Sequence, residues 1–276
     1  MAKTWLITGC SAGGIGAGIA KGVLARGENV IVTARNTDKV KEIVEGYPDS
    51  ALAVALDVTD DASMDAAIKA GLDKFGTIDV LVNNAGYAYR SSVEEAEEDG
   101  MRKMYETNLF GPIHLIQKVL PIMRKQESGA IINVSSIAAA RTGAASGFYA
   151  SSKAALELLS EGLAKEVEPL GIKVMIVEPG SFRTHFYDSS LQGSDMTIDA
   201  YKDTAWTRSK ANSVNNHNQP GDPDKCGDVV MDAIYSDHTP MRLLLGSDAI
   251  KAVEGAYNNR LKEIEEWKEE SVKTDY

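Results

Sequence analysis

Short, nearly unbroken runs of β-branched and aliphatic residues alternate along this chain with longer stretches in which apolar residues return every three or four positions. The runs are TWLIT (4–8), NVIVTA (29–34), ALAVAL (51–56), DVLVN (79–83), AIINVS (130–135), KVMIV (173–177) and RLLLG (242–246). Strands that are apolar on both faces are those of a parallel sheet covered by helices on each side. Between two runs, DDASMDAAIKAGLDKFG (60–76) sets Met64, Ala67, Ile68, Leu72 and Phe75 on one helical face, behind acidic residues suited to a helix N-terminus. The rhythm predicts an α/β fold: a doubly wound, mostly parallel sheet of about seven strands with helices on both faces. Such sheets bind ligands at the carboxyl ends of their strands, where strand order reverses.

Two regions break the rhythm. Residues 185–225 show no clear strand but carry Phe186, Tyr187, Tyr201 and Trp206, and are expected to form a lid over the sheet's ligand site. At the other end, Ile250, Val253, Tyr257, Leu261, Ile264 and Trp267 recur at helical steps, predicting one amphipathic helix over about 248–271. With no internal repeat and no linker, residues 1–276 read as a single domain.

Composition narrows the function. Forty acidic residues against 29 basic ones give a net charge of −11, which argues against a phosphate-tracking nucleic-acid surface. No run is long and apolar enough for a bilayer, and MAKTWLITG enters a strand without a charged-then-apolar leader, so a cytoplasmic chain without membrane partners is expected. Cys10 and Cys226 make no CxxC, and the four histidines make no HExxH, so neither a disulfide framework nor a metal set is expected.

Chemistry is written just after the strands. The first is followed by TGCSAGGIG (8–16) and then a helix, an arrangement in which backbone N–H groups approach an anion such as a pyrophosphate. Ile15 and Gly16 stand where a P-loop needs Lys and Ser/Thr, and a tight β-to-α turn alone would also use these glycines. After the second strand, Ala34-Arg35 replaces the acidic residue that selects the 2′-hydroxyl of NAD, which favours NADP(H). Asp57-Val58 and Asn83-Asn84-Ala85-Gly86 follow the third and fourth strands; Asp57 is suited to an adenine amino group, Asn83 to tying strands together, and each alone also suits a turn. Ser136 follows the fifth strand, with YASSK (149–153) beyond it, and Glu178-Pro179-Gly180-Ser181-Phe182-Arg183-Thr184 closes the sixth. Tyr149 and Lys153 share a helix face, a geometry that by itself favours ordinary helix packing over catalysis.

Taken together, TG…GIG, NNAG, the strand-end serine, YxxxK and PGxxxT, in this order, make the chain resemble the short-chain dehydrogenase/reductase family in its single-domain, Rossmann-type form. The resemblance spans roughly residues 3–184. It implies an oxidoreductase that moves a hydride between a nicotinamide and an alcohol or carbonyl carbon. Position by position, it implies Tyr149 as general acid/base, Lys153 as its helper and holder of the ribose, Ser136 as the group that polarises the carbonyl, and Asn108 of ETNLFGP as support for a water-linked proton route. For the coenzyme it implies Gly9, Ser11, Gly13, Gly14, Ile15, Gly16, Arg35, Asp57, Val58, Asn84, Ala85, Gly86, Tyr149, Lys153, Pro179, Gly180 and Thr184. A free phenol titrates near 10, so a nearby ammonium is the expected means of bringing Tyr149 toward neutrality.

The turn departs from the family pattern by carrying four residues, not three, between Gly9 and Gly14, which leaves the individual glycine roles open. The expected activity is an NADP(H)-dependent carbonyl reductase or secondary-alcohol dehydrogenase acting on a fairly apolar small molecule: a hydroxysteroid, an acyl-chain ketone or a cyclic ketone. The alternative is an NADP(H)-binding redox sensor that signals to a protein partner without turnover. The resemblance also implies a homodimer or homotetramer.

Overall fold

Alternation within the first strand already assigns the two faces of the sheet. In the computed structural model, which describes residues 2–186, 190–207 and 218–276, β1 (Thr4–Ile7) turns Trp5 and Ile7 to one side and Leu6 to the other, all fully buried. β1 is flanked on one side by β2 (Asn29–Ala34) and then β3 (Ala51–Ala55). On its other side lie β4 (Val80–Asn83), β6 (Gly129–Val134), β7 (Ile172–Pro179) and β9 (Arg242–Leu245). Every neighbouring pair is parallel, giving the doubly wound seven-stranded sheet expected from the apolar runs.

Helices cover both faces. Ile19 and Val23 of α1 (Ile15–Ala25), Ile43 of α2 (Lys41–Val44) and Val230 of α7 (Cys226–Ile234) pack with Ile7, Val32 and Ile132. On the opposite face, Met64 and Ala67 of α3 (Asp61–Phe75), Leu115 of α5 (Gly111–Gln126) and Leu163 of α6 (Gly147–Val167) pack with Leu6, Ile31 and Ile131. Each such aliphatic side chain contributes about 1.5–3 kcal/mol by leaving water. α3 shows how local chemistry sets the ends: Asp60 accepts hydrogen bonds from the N–H groups of Ala62 and Ser63, and Gly76 closes the helix at φ 76°.

The chain lays down β1, β2 and β3 outward, then crosses back over β1 to start β4. The reversal opens a crevice at the carboxyl ends of β1 and β4.

The structure corrects the expectation that residues 185–225 hold no strand. β5 (Ala88–Arg90) and β8 (Leu191–Gly193) form a separate parallel ribbon, pairing Tyr89 with Gln192 and Arg90 with Gly193. Strands of three residues are too short to leave a period in the sequence. Tyr187 lies outside the described residues. Between β5 and α6 stand α4 (Glu98–Tyr105) and a π-helical turn, Glu106–Phe110.

The last helix, α8 (Ser247–Ser271), buries only Ala249 and Val253. Tyr257, Leu261, Ile264 and Trp267 remain exposed, so its apolar row does not rest on its own sheet. No helix among the described residues is long and apolar enough to cross a membrane.

Candidate active site

The carboxyl ends of β1, β2, β3, β4, β6 and β7 border one cleft of about 1420 Å³. Its first wall is the glycine turn. Gly13 adopts φ 74°, which absorbs the extra residue of TGCSAGGIG, so that Gly14 arrives as the N-cap of α1 with its N–H donated to Ser11 O (3.1 Å). At Gly16 the constraint is space: a Cβ there would stand 2.4 Å from Asn84 Nδ2 and 2.9 Å from Gly9 O. Asn84 Nδ2 donates to Thr8 O and Gly9 O (2.9 and 3.0 Å), which locks the turn after β1 to NNAG after β4. Gly9, Ser11, Gly14 and Ile15 line the cleft, whereas Gly13 and Gly16 shape the turn without lining it. The N-cap, Gly14, has no side chain to accept from the first N–H groups of α1, so these groups and the helix dipole fit the pyrophosphate of a dinucleotide. Cys10, inside the turn, is fully buried, and burial pushes its thiol up to about 12, which makes it inert.

One end of the cleft carries positive charge. Arg35 lines it after β2, as does Lys39, whose place in the chain marks no motif. Lys39 O accepts from Ala12 N (3.3 Å), so the segment after β2 is tied to the glycine turn. Asp57 and Val58 follow β3 on the same wall. Burial pushes the Asp57 carboxyl up, but the Thr59 N–H and hydroxyl (2.9 and 2.7 Å) and the charge of Arg35 together hold it below the usual range.

The opposite end brings together the residues that follow β6 and β7. Ser136 stands just past β6, with its Oγ accepting from Ala138 N (3.1 Å). Tyr149 and Lys153, one turn apart on α6, both face the cleft and are both buried. Lys153 Nζ donates to Val134 O (2.8 Å), and burial, opposed by Glu157, brings its pKa down to about 8. Ala85, Gly86, Pro179, Gly180 and Thr184 complete the lining. The Pro179-Gly180 turn is braced from α8, where Asp248 accepts from Ser181 N (2.8 Å).

Asn108 is placed differently. It lies in the π-helical turn, is fully buried and does not line the cleft. Its side chain accepts from Tyr87 N (3.0 Å) and donates to Tyr87 O (2.9 Å) and Ser152 Oγ (3.3 Å). It approaches Lys153 at Gly86, where a Cβ would stand 3.1 Å from Asn108 Oδ1 and 3.4 Å from Lys153 Nζ.

Arg90 is a cleft residue that left no pattern in the sequence, and it meets Tyr149 together with Phe186 of the expected lid. Arg90, at the end of β5, is buried with its guanidinium 5.9 Å from the Tyr149 ring centroid. Phe186 lies at the same distance from that ring. Behind Lys153, Glu157 accepts from Ser135 Oγ (2.6 Å) and pairs with Arg242 (3.2 Å). Glu157 follows Lys153 by four residues, so helical spacing alone would have placed it there.

The sequence profile described as short chain dehydrogenase matches residues 3–194. A short-chain dehydrogenase from Streptomyces avermitilis, solved as a crystal structure, superposes with a TM-score of 0.91 at 41% identity, covering 99% of this chain and 98% of that one. The oxidoreductase BOA17 of Botryotinia fuckeliana is 36% identical over 273 residues, 99% of both chains. More distantly, 3-ketoacyl-(acyl-carrier-protein) reductase from Brucella melitensis, solved with NADH, gives a TM-score of 0.72 at 25% identity over 90% of this chain and 98% of that one.

Proposed function

The chain belongs to the short-chain dehydrogenase family, and on that premise we propose that it is an NADP(H)-dependent carbonyl reductase or secondary-alcohol dehydrogenase acting on a fairly apolar small molecule. The observation that carries this reading is the convergence of Ser136, Tyr149 and Lys153 on one wall of a cleft whose far wall is a glycine-rich anion cradle. Bound there, the nicotinamide coenzyme supplies or accepts the hydride. Tyr149 donates a proton to the carbonyl oxygen during reduction and takes it back during oxidation. Ser136 hydrogen-bonds the same oxygen as negative charge develops on it. The buried Lys153 ammonium favours the phenolate and so brings the phenol toward working pH. Asn108 acts beside Gly86, holding the Tyr87 backbone and Ser152 next to this pair.

Preference for NADP(H) is supported by Arg35 and Lys39 together at the end of the cleft beside Asp57. A charge-assisted hydrogen bond is worth about 1.5–3 kcal/mol, so Arg35→Ala or Lys39→Ala is expected to weaken NADPH binding about 10- to 100-fold and to leave NADH nearly unchanged. Fluorescence titration of both coenzymes checks this, and an equal loss for both would remove the basis for the preference.

The substrate class is supported by the aromatic lining packed around Tyr149, including Tyr87 and Phe186. Hydroxysteroids, acyl-chain ketones and cyclic ketones are the classes to test, by following NADPH consumption across each series. Rates indifferent to substrate hydrophobicity would overturn this part of the reading.

Assembly as a homodimer or homotetramer is supported by the exposed row Tyr257, Leu261, Ile264 and Trp267 on α8. Light scattering is expected to give a multiple of 29.7 kDa, lowered by the double substitution Leu261→Glu/Ile264→Glu. A monomeric wild-type chain would end this proposal.

A further inference from the structure

We propose that Glu95 is a positioning residue that fixes the substrate-side wall of the cleft, by holding residues 190–207 onto the segment that follows β5. For its substrate the role rests on the dehydrogenase reading above, whereas the contact itself does not.

Four donors converge on this one carboxylate. Oε1 accepts from Thr197 N (2.6 Å) and Ile198 N (2.7 Å), and Oε2 accepts from Ser92 Oγ (2.6 Å) and Trp206 Nε1 (3.2 Å). Glu95 N in turn donates to Ser92 Oγ (3.2 Å), which orients the carboxylate from its own side. Burial pushes the carboxyl up, yet the bonds from Ser92, Ile198, Thr197 and Trp206 outweigh it and hold the pKa at about 2. Glu95 is therefore an anion throughout the neutral range, and hydrogen bonds to an anion are the stronger kind.

The wall needs such a tie because its other attachments are slight. β5 and β8 pair over three residues each, and a ribbon that short is marginal on its own. Around it, Ser91 Oγ and Ser194 Oγ share a hydrogen bond (2.6 Å) and Tyr201 OH donates to Glu94 Oε2 (2.6 Å). Ser190 and Gln192, at and beside β8, line the cleft, so any shift of the 190–207 segment moves them. The same loop reaches the helix that carries Tyr149, since Ser91 N donates to Ala145 O (3.3 Å) just before α6. None of these contacts involves the glycine turn or the basic end of the cleft, so the coenzyme site is spared.

Glu95→Gln tests the role with almost no change of shape. The amide loses the charge, and in either orientation its NH2 faces at least one N–H donor, of Trp206 or of Thr197 and Ile198, so the tie loosens while the core is untouched. The expected result is a KM for the ketone raised about 10- to 100-fold, with kcat changed much less and the NADPH Kd unchanged. Glu95→Asp, which keeps the charge but shortens the reach, is expected to fall between. A readout independent of turnover is acrylamide quenching of Trp206 in a Trp267→Phe background, because Trp5 is fully buried and does not respond. Quenching is expected to rise in Glu95→Gln. Unchanged quenching would overturn the proposal whatever the enzyme turns over. With quenching raised, an unchanged KM would overturn the positioning role. If the wild-type chain reduces no ketone, the dehydrogenase reading fails by itself, and quenching still decides the contact.

Discussion

Tyr149→Phe is expected to lower kcat/KM for ketone reduction by about 10³-fold, within the range that a positioned general acid contributes. The substitution deletes one oxygen and leaves the ring, which packs against Phe186 and beneath the Arg90 guanidinium, both 5.9 Å away. Folding should accordingly survive, and the loss should fall chiefly on kcat. The pH profile provides a second check. Lys153, brought down to about 8 by burial, carries its charge below that pH and loses it above. The wild-type reduction rate is expected to decline above about pH 8, because the phenol then loses the ammonium beside it. The residual rate of Tyr149→Phe, having no phenol to tune, should be flat across the same range. Steady-state assays of both proteins from pH 6 to 10 measure this, and a variant that keeps wild-type turnover would remove Tyr149 from the chemistry.

Arg242→Met is expected to destabilise the fold strongly. Arg242, on β9, meets three carboxylates: Glu157 at 3.2 Å, Glu161 at 2.6 Å and Glu178 at 3.1 Å. Glu178 is 1% exposed and Glu157 8%, so removing the cation strands two buried anions near each other. Breaking a buried pair costs roughly 3–5 kcal/mol, and the lower figure applies here because Arg242 remains partly exposed. For a domain of this size about 3 kcal/mol corresponds to a fall in Tm of roughly 6–12 °C.

The loss should depend on pH. Burial first and the charge of Glu157 second raise Glu178 to about 7, with Arg242 opposing both. Its folded pKa is thus above the unfolded value, so the folded state binds the extra proton and the wild-type protein loses stability as pH rises toward 7. Arg242 limits that loss only once the carboxylate has ionised. The gap between variant and wild type should therefore be small near pH 5 and largest above pH 7, as read by thermal melts in the two buffers. Equal gaps at both ends would mean that the arginine acts through packing alone.

The architecture was legible because burial is written locally. All seven strands of the sheet fall within a residue or two of their apolar runs, and Met64, Ala67 and Ile68 pack inward as their spacing requires. The ends of those strands are legible for the same reason: a parallel sheet gathers its carboxyl ends, so motifs far apart in sequence are bound to line one crevice. Arg35 and Ser136 could be placed at such strand ends on that basis, whereas Tyr149 and Lys153, which lie on α6, were named through the resemblance of the whole motif set; all four line one cleft.

What the sequence left open was decided by contacts between segments that share no period. The extra residue in TGCSAGGIG found its place only through the left-handed turn at Gly13 and the closeness of Gly16 to Asn84. Asn108 has the expected position in the chain, yet its amide is committed to Tyr87 and Ser152 and not to the cleft surface. The ribbon of β5 and β8 joins residues about a hundred positions apart by three pairs, and Glu95 reaches Thr197, Ile198 and Trp206 across a similar span. Hydrophobic periodicity records which face of an element is buried and strand ends record where a site opens. A single carboxylate, arginine or three-residue strand carries no such period, and its partner is fixed only when the sheet and helices have brought the two segments together.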